Sequence, residues 1–409
     1  MRTFVFSFLL VACAAPQEKP PPAGPATAEP TPQSETPTTT DATLVLAAGN
    51  VPGPFSLKNG DVLEGAGADA TCITAPTDGP AIVVPVGAHV KLRKLGVCAA
   101  AGQHAVLIKG SLDAREVYVT GGRVGFRVED GGALTLTDAL GEDIEGLVSV
   151  INGSATVTRA VAKRIKNSGF FVATGSFTGE DLESEGGEYG FGTRPEAKVT
   201  LKNARFISGI FGGLALSGGG GDYTDITVDG RGKGGEGVIS NDLKSPLTFT
   251  NLKIKGVRGN GISLIRANAT FTALTLEGVA TDPDGTRGIG LYTQESTVLV
   301  AKSQINAAKG EGVTAIDGDV TLEDTTIDRA VASGATAWHG GNIRLVRSTV
   351  KNGIGPALLA IEGGKIIAES GSVQAAGTAA MADCSAGSAI TIKQAVTVTG
   401  KVDACVVRE

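Results

Sequence analysis

Glu295 and Asp317 are the two residues of this sequence best placed to do chemistry together. They belong to a recurring position held in turn by Asp242, Arg266, Glu295, Asp317, His339 and Glu362, each five residues past the start of a similar segment. When such segments stack as parallel strands, successive members stand one rung, ~4.8 Å, apart. At that range one carboxylate raises the pKa of the other, or the two attract a cation. Arg266 and His339 would flank them with a positive charge and a proton carrier, and Tyr292 and Trp338 lie nearby. Such a set suits acid/base cleavage of a polysaccharide. Charged side chains are also what ordinary exposed turns carry. The expectation is therefore a solvated stack of turn residues, with catalysis as the alternative.

Other chemical motifs fail on context. Gly230-Arg231-Gly232-Lys233-Gly234-Gly235 has the spacing of a dinucleotide-binding loop, but it follows DITVD and leads into another strand-like segment instead of opening a helix. The phrases Asp282 to Gly285 and Asp317 to Asp319 resemble parts of calcium loops without the full ligand series, and are expected to be turns. Calcium is the one cofactor they leave open. The step from Gly261 to Gly290 is long and inserts GVATDPDGTRG, expected beside the charged column, where a loop on a rigid scaffold is a usual carrier of binding function.

The elements that must position these residues come from an internal repeat. Segments beginning at Gly125 (GFRVEDGGALTLTDA), Gly146 (GLVSVINGSATVTRA), Gly237 (GVISNDLKSPLTFTNLKI), Gly261 (GISLIRANATFTALTL) and Gly312 (GVTAIDGDVTLEDTTI) share one pattern. A Gly precedes a short alternating strand, a polar turn, a second strand and a third apolar stretch. Similar starts fall at His104, Gly169, Gly190, Gly213, Gly290, Gly334 and Ala357. The repeat predicts about a dozen three-strand coils stacked by parallel pairing, with Gly placed where the backbone bends. With 59 Gly and only 4% aromatics, the composition suits a narrow aliphatic core.

Over residues 43–409 the chain resembles the pectin-lyase-like right-handed parallel β-helix superfamily, an all-β fold. SLKNGDVLEGAGADATCI, from Ser56 to Ile73, is similar to the first coil of many secreted members. The resemblance implies an architecture and no particular reaction. Of the polygalacturonase-like motifs, N-T-D, paired Asp and G-H-G do not occur, R-I-K occurs only in isolation at Arg164-Ile165-Lys166, and the three His sit in AHV, QHAV and AWHGG. Cys72 and Cys98, 26 apart, and Cys384 and Cys405, 21 apart, are each separated by about one coil. That spacing puts each pair on adjacent rungs and predicts two disulfides, one near each end of the rod.

The N-terminus sets the compartment. Residues 1–12 form a short signal-like segment with one Arg and an apolar run from Phe4, and Leu10-Val11-Ala12-Cys13 resembles the bacterial lipobox, which implies lipidation of Cys13. Residues 13–42 hold eight of the 17 Pro, and residues 14–41 lack any large apolar side chain, the composition of a disordered tether. Export and anchoring in the outer membrane through lipid on Cys13 are expected, on its periplasmic or cell-surface side. A net charge of −6 without a basic, aromatic-rich cluster argues against nucleic acid. The expected function is a rigid surface module that is structural or binds glycan or protein without catalysis. The alternative is a polysaccharide lyase or glycoside hydrolase.

Overall fold

The computed structural model describes residues 42–409. Cys13, the signal-like segment and nearly all of the tether lie outside the described residues. The rest is an all-β, right-handed parallel solenoid of about sixteen coils, with one 3-10 turn at Cys384–Ala386. At one rung per ~4.8 Å that makes a rod roughly 75 Å long. The sequence repeat predicts about a dozen coils because its Gly signal fades in the first and last coils, where the strands continue without it.

Each coil lays down three strands on three parallel faces. The first sheet contains Glu236–Asn241, Ile262–Ile265, Leu291–Gln294, Val313–Ile316 and Ala335–Trp338. The second contains Asn268–Thr272, Thr297–Ala301 and Asp319–Glu323, and the third Thr275–Glu277, Gln304–Asn306 and Thr326–Asp328. Registers are continuous, as in Ile262↔Leu291↔Val313↔Ala335↔Leu358 along the first sheet. Alternation then sends every second side chain inward. Ile262, Leu291, Val313, Ala335 and Leu358 are all fully buried.

The repeated glycines act through close approach and not through bending. Gly169, Gly190, Gly213, Gly237, Gly261, Gly290, Gly312 and Gly334 precede these inward residues on successive rungs, and none has a positive φ. A Cβ at Gly261 would stand 2.5 Å from the Gly290 carbonyl oxygen, and one at Gly290 2.5 Å from that of Gly312. There is no room for a methyl group between the next coil and the third sheet. Two expected starts are one residue off, since Ala105 and Leu147, not His104 and Gly146, share the register of Gly125.

The left-handed turns fall on other residues. Between the second and third sheets, twelve successive rungs place a non-glycine residue at φ between 47° and 58°, from Lys94 and Glu116 to Asp324 and Arg347. Left-handed backbone disfavours most side chains, and Asn and Asp tolerate it best. Asp138, Asp181, Asn203, Asp225, Asn251 and Asp324 occupy half of that corner.

The core is less purely aliphatic than the composition suggests. Tyr223, Phe249 and Phe271 stack inside with centroids 4.7 and 5.2 Å apart. Phe170, Phe177 and Phe191 meet edge to face. Disulfides join Cys72 to Cys98 and Cys384 to Cys405, with Cα separations of 6.0 and 5.8 Å. Each links neighbouring coils near an end of the rod, close to the terminal strands, which have a partner on one side only.

Candidate functional site

The charged column exists as a column. Asp242, Arg266, Glu295, Asp317, His339 and Glu362 directly follow paired first-sheet strands, and all six have φ between 49° and 55°. Glu295 and Asp317 are exposed neighbours on adjacent rungs, with Arg266 and His339 on either side. Most of the charge is matched along the stack. Arg266 Nε donates to Asp242 at 2.5 Å, Arg266 Nη1 lies 3.8 Å from Glu295, and His339 Nε2 meets Glu362 at 2.8 Å. The Arg266 hydrogen bond holds the Asp242 carboxyl below its ordinary range. The same left-handed geometry and the same rung-to-rung pairs recur at the next corner, where Arg159 binds Asp138 and Arg347 binds Asp324. The column is one of the corners of the solenoid, built by the rule that builds its neighbour.

The outer face of the first sheet has more relief. A cavity of about 510 Å³ lies over it where Arg127, Ser149, Phe171 and Gly192 succeed one another on consecutive rungs. Arg123, Arg127 and Arg194 line it together with Glu145 and Glu188. Arg127 is tied to Glu129 at 2.7 Å and Arg123 to Glu145 at 3.5 Å. The Arg194 guanidinium rests 5.7 Å from the centre of the Phe171 ring and has no ion-pair partner among the described residues. His104 lies near this end of the face, and its pKa is lowered by burial and then by Arg127 and Arg123. Farther along, Tyr292 donates to Gln294 at 3.1 Å, and the Trp338 ring stacks on His339 with centroids 5.1 Å apart.

The inserted loop is not beside the column. Its residues, 278–288, connect a third-sheet strand to the first-sheet strand Leu291–Gln294, so it borders the edge opposite Glu295. The intervening strand is four residues long and separates the two by about 13 Å. Asp282 accepts from the backbone N–H of Thr286 at 2.9 Å and from its hydroxyl at 3.1 Å, which makes TDPDG a side-chain-closed turn. Gly230 to Gly235 likewise turns from strand to strand.

The loop's contact with the rod was not visible in the sequence. Arg287 Nη1 binds Glu236 Oε1 at 2.8 Å, and the Ser263 hydroxyl donates to Glu236 Oε2 at 2.5 Å. Asn260 donates to Ser263 at 3.0 Å and accepts from the Ile289 N–H at 3.2 Å. Glu236 is only 7% exposed. Burial raises its pKa, against the opposing pull of Ser263 and Arg287. Glu236 and Arg287 are 51 positions apart, and their only sequence signal is the length of the insertion.

One known family matches part of the solenoid. The family described as "Right handed beta helix region" matches residues 212–375. No curated protein matches the sequence. Among solved structures, the chain is similar to the catalytic unit of the thermostable GH87 alpha-1,3-glucanase from Streptomyces thermodiastaticus. Identity is 12%, coverage 90% of this chain and 63% of that one, and the TM-score 0.37. It is also similar to the Azotobacter vinelandii mannuronan C-5 epimerase AlgE6 A-module, at 12% identity, 90% and 91% coverage and a TM-score of 0.33. Bacteriophage CBA120 tailspike protein 3 gives 10%, 84% and 54%, and 0.41. The chain thus spans less than two thirds of the glucanase unit and of the tailspike protein. Likeness at these identities concerns the fold alone.

Proposed function

We propose that this chain is an exported, lipid-anchored module whose rod binds glycan along the outer face of its first sheet without cleaving it. The observation that carries this reading is the 510 Å³ cavity, where Arg194 lies over Phe171 with no carboxylate partner among the described residues. An apolar ring beside convergent polar groups is the usual chemistry of a small-ligand site. Tyr292 and Trp338 extend the aromatic character of that face, and aromatic rings give an apolar surface to the C–H side of a sugar. The charged column supports a non-catalytic role, because its members are largely occupied with one another.

Anchoring rests on the lipobox-like Leu10-Val11-Ala12-Cys13. Cys13→Ser is expected to move the protein from the membrane fraction to the soluble one, and retention on membrane in that variant would end the lipid reading. The binding reading is tested by incubating the soluble rod with a panel of neutral and acidic polysaccharides. Retention on at least one, with a change in the emission of Trp338, the chain's single Trp, is the expected result. No new reducing or unsaturated ends should form. Turnover on any of them would instead establish the lyase or hydrolase alternative.

A further inference from the structure

A second recess lies on the outer face of the third sheet, near the N-terminal end of the rod. Its floor is Tyr118 and Leu140, which are register neighbours, and its volume is about 590 Å³. The segment carrying Ala68 and Asp69, part of the first-coil phrase, forms one wall. It packs so closely that a Cβ on Gly96, the rung before Tyr118, would stand 2.8 Å from the Ala68 carbonyl oxygen. Asp69, Glu116, Asp138 and Glu142 line the recess, and no Lys or Arg does.

Two of these carboxylates are already used. Arg159 clamps Asp138 at 2.6 and 2.9 Å, and Glu142 takes Arg164 at 3.0 Å and the Tyr118 hydroxyl at 3.2 Å. Asp69 and Glu116 have no partner among the described residues. The Glu142 bond fixes the Tyr118 hydroxyl while leaving its ring in the floor. We infer that this recess binds an organic ammonium ion with an apolar body. The body covers Tyr118 and Leu140, and the charge lies between Asp69 and Glu116, within reach of the Tyr118 ring face.

The chemistry excludes the simpler occupants. An anion meets the two carboxylates without partners, and a neutral apolar molecule leaves the same two without a counter-charge. A bare metal ion needs several converging ligands, and no group of three or more His, Cys, Asp or Glu is arranged to hold one among the described residues. This site is independent of the glycan face, which lies on a different sheet.

The test is calorimetric titration of the soluble full chain with phenethylammonium and, separately, with phenethyl alcohol, its uncharged counterpart. The ammonium ion should bind and the alcohol should bind at least about tenfold more weakly. Glu116→Gln should weaken the ammonium ion about threefold, and added salt should do the same. Tyr118→Leu keeps the floor apolar but deletes the aromatic face, and should weaken it about fivefold. Thermal melting confirms that each variant is folded. Equal affinity for amine and alcohol, or affinity unchanged in both variants, overturns the proposal.

Discussion

The two edges of the first sheet carry similar residue types and treat them in opposite ways. On the edge ending in Asp242, Arg266, Glu295 and Asp317, charges sit at identical left-handed turns and are exposed to water. Pairs there are screened and individually weak. On the other edge, the inserted loop brings Arg287 onto Glu236, whose carboxylate is almost wholly buried, and Ser263 and Asn260 complete its surroundings. A buried charge is costly to leave without a partner. The regular edge shows what the solenoid does with charge by default, whereas the irregular edge departs from that default. A repeat therefore points to structure, and its interruption is the better guide to a special site.

The largest expected effect comes from neither edge but from the stacking that aligns both. Gly290→Val would place its Cβ 2.5 Å from the Gly312 carbonyl oxygen and 2.7 Å from Ile305 Cγ2. Overpacking of this kind should lower stability by about 3 kcal/mol, read as a fall in melting temperature. If Gly290→Val melts like the wild type, close approach is not what selects glycine on this ladder.

At the irregular edge, Arg287→Ala should cost about 2 kcal/mol at neutral pH, less than for a fully buried pair because Arg287 is 46% exposed. The sign with pH follows from the raised pKa of Glu236. Its folded value lies above the ordinary 4.5, so its contribution to stability is fully present below that pH and is lost as pH rises through the folded value. Arg287→Ala removes one opposing pull, and should recover most of its lost stability on acidification. Glu236→Gln, which cannot ionise, should flatten the wild-type dependence above pH 4.5. Melting curves between pH 4 and 8 for the three proteins check this, and a Glu236→Gln profile as steep as the wild type would break the assignment.

The sequence disclosed whatever repeats. Coil register, fold class and both cysteine pairings follow from spacing, because a period of one coil places Cys72 beside Cys98 and Glu295 beside Asp317. It was silent where partners do not share the register of the repeat. Nothing near Glu236 signals Arg287, and nothing near Phe171 signals that Gly192 leaves the next rung bare beside it while Arg194 folds over its ring. Most of the ladder glycines are visible in the sequence, but their reason, close approach and not bending, is not. A sequence shows where Gly recurs, but only packing shows whether φ or proximity demands it.

The smallest expected effect is the one that decides what the charged column is. If it is only a corner of the solenoid, Glu295 and Asp317 are interchangeable with their amides. The exposed pairs they join are worth about 0.5 kcal/mol or less. Replacing Asp317 by Asn even suits the left-handed backbone, which Asn tolerates well. Glu295→Gln and Asp317→Asn, alone and combined, should therefore leave the melting temperature within about 2 °C of wild type. Retention on any polysaccharide bound by the wild type should also be unchanged, because the proposed binding surface is the outer face of the first sheet with its cavity and not its corner. A double variant that loses retention while melting normally would transfer the binding role to the column. Single variants that each destabilise, with a double variant no worse than either, would mean that the two carboxylates share a bound cation, since loss of either ligand releases it, whereas repulsion between like charges alone would make each single removal stabilising.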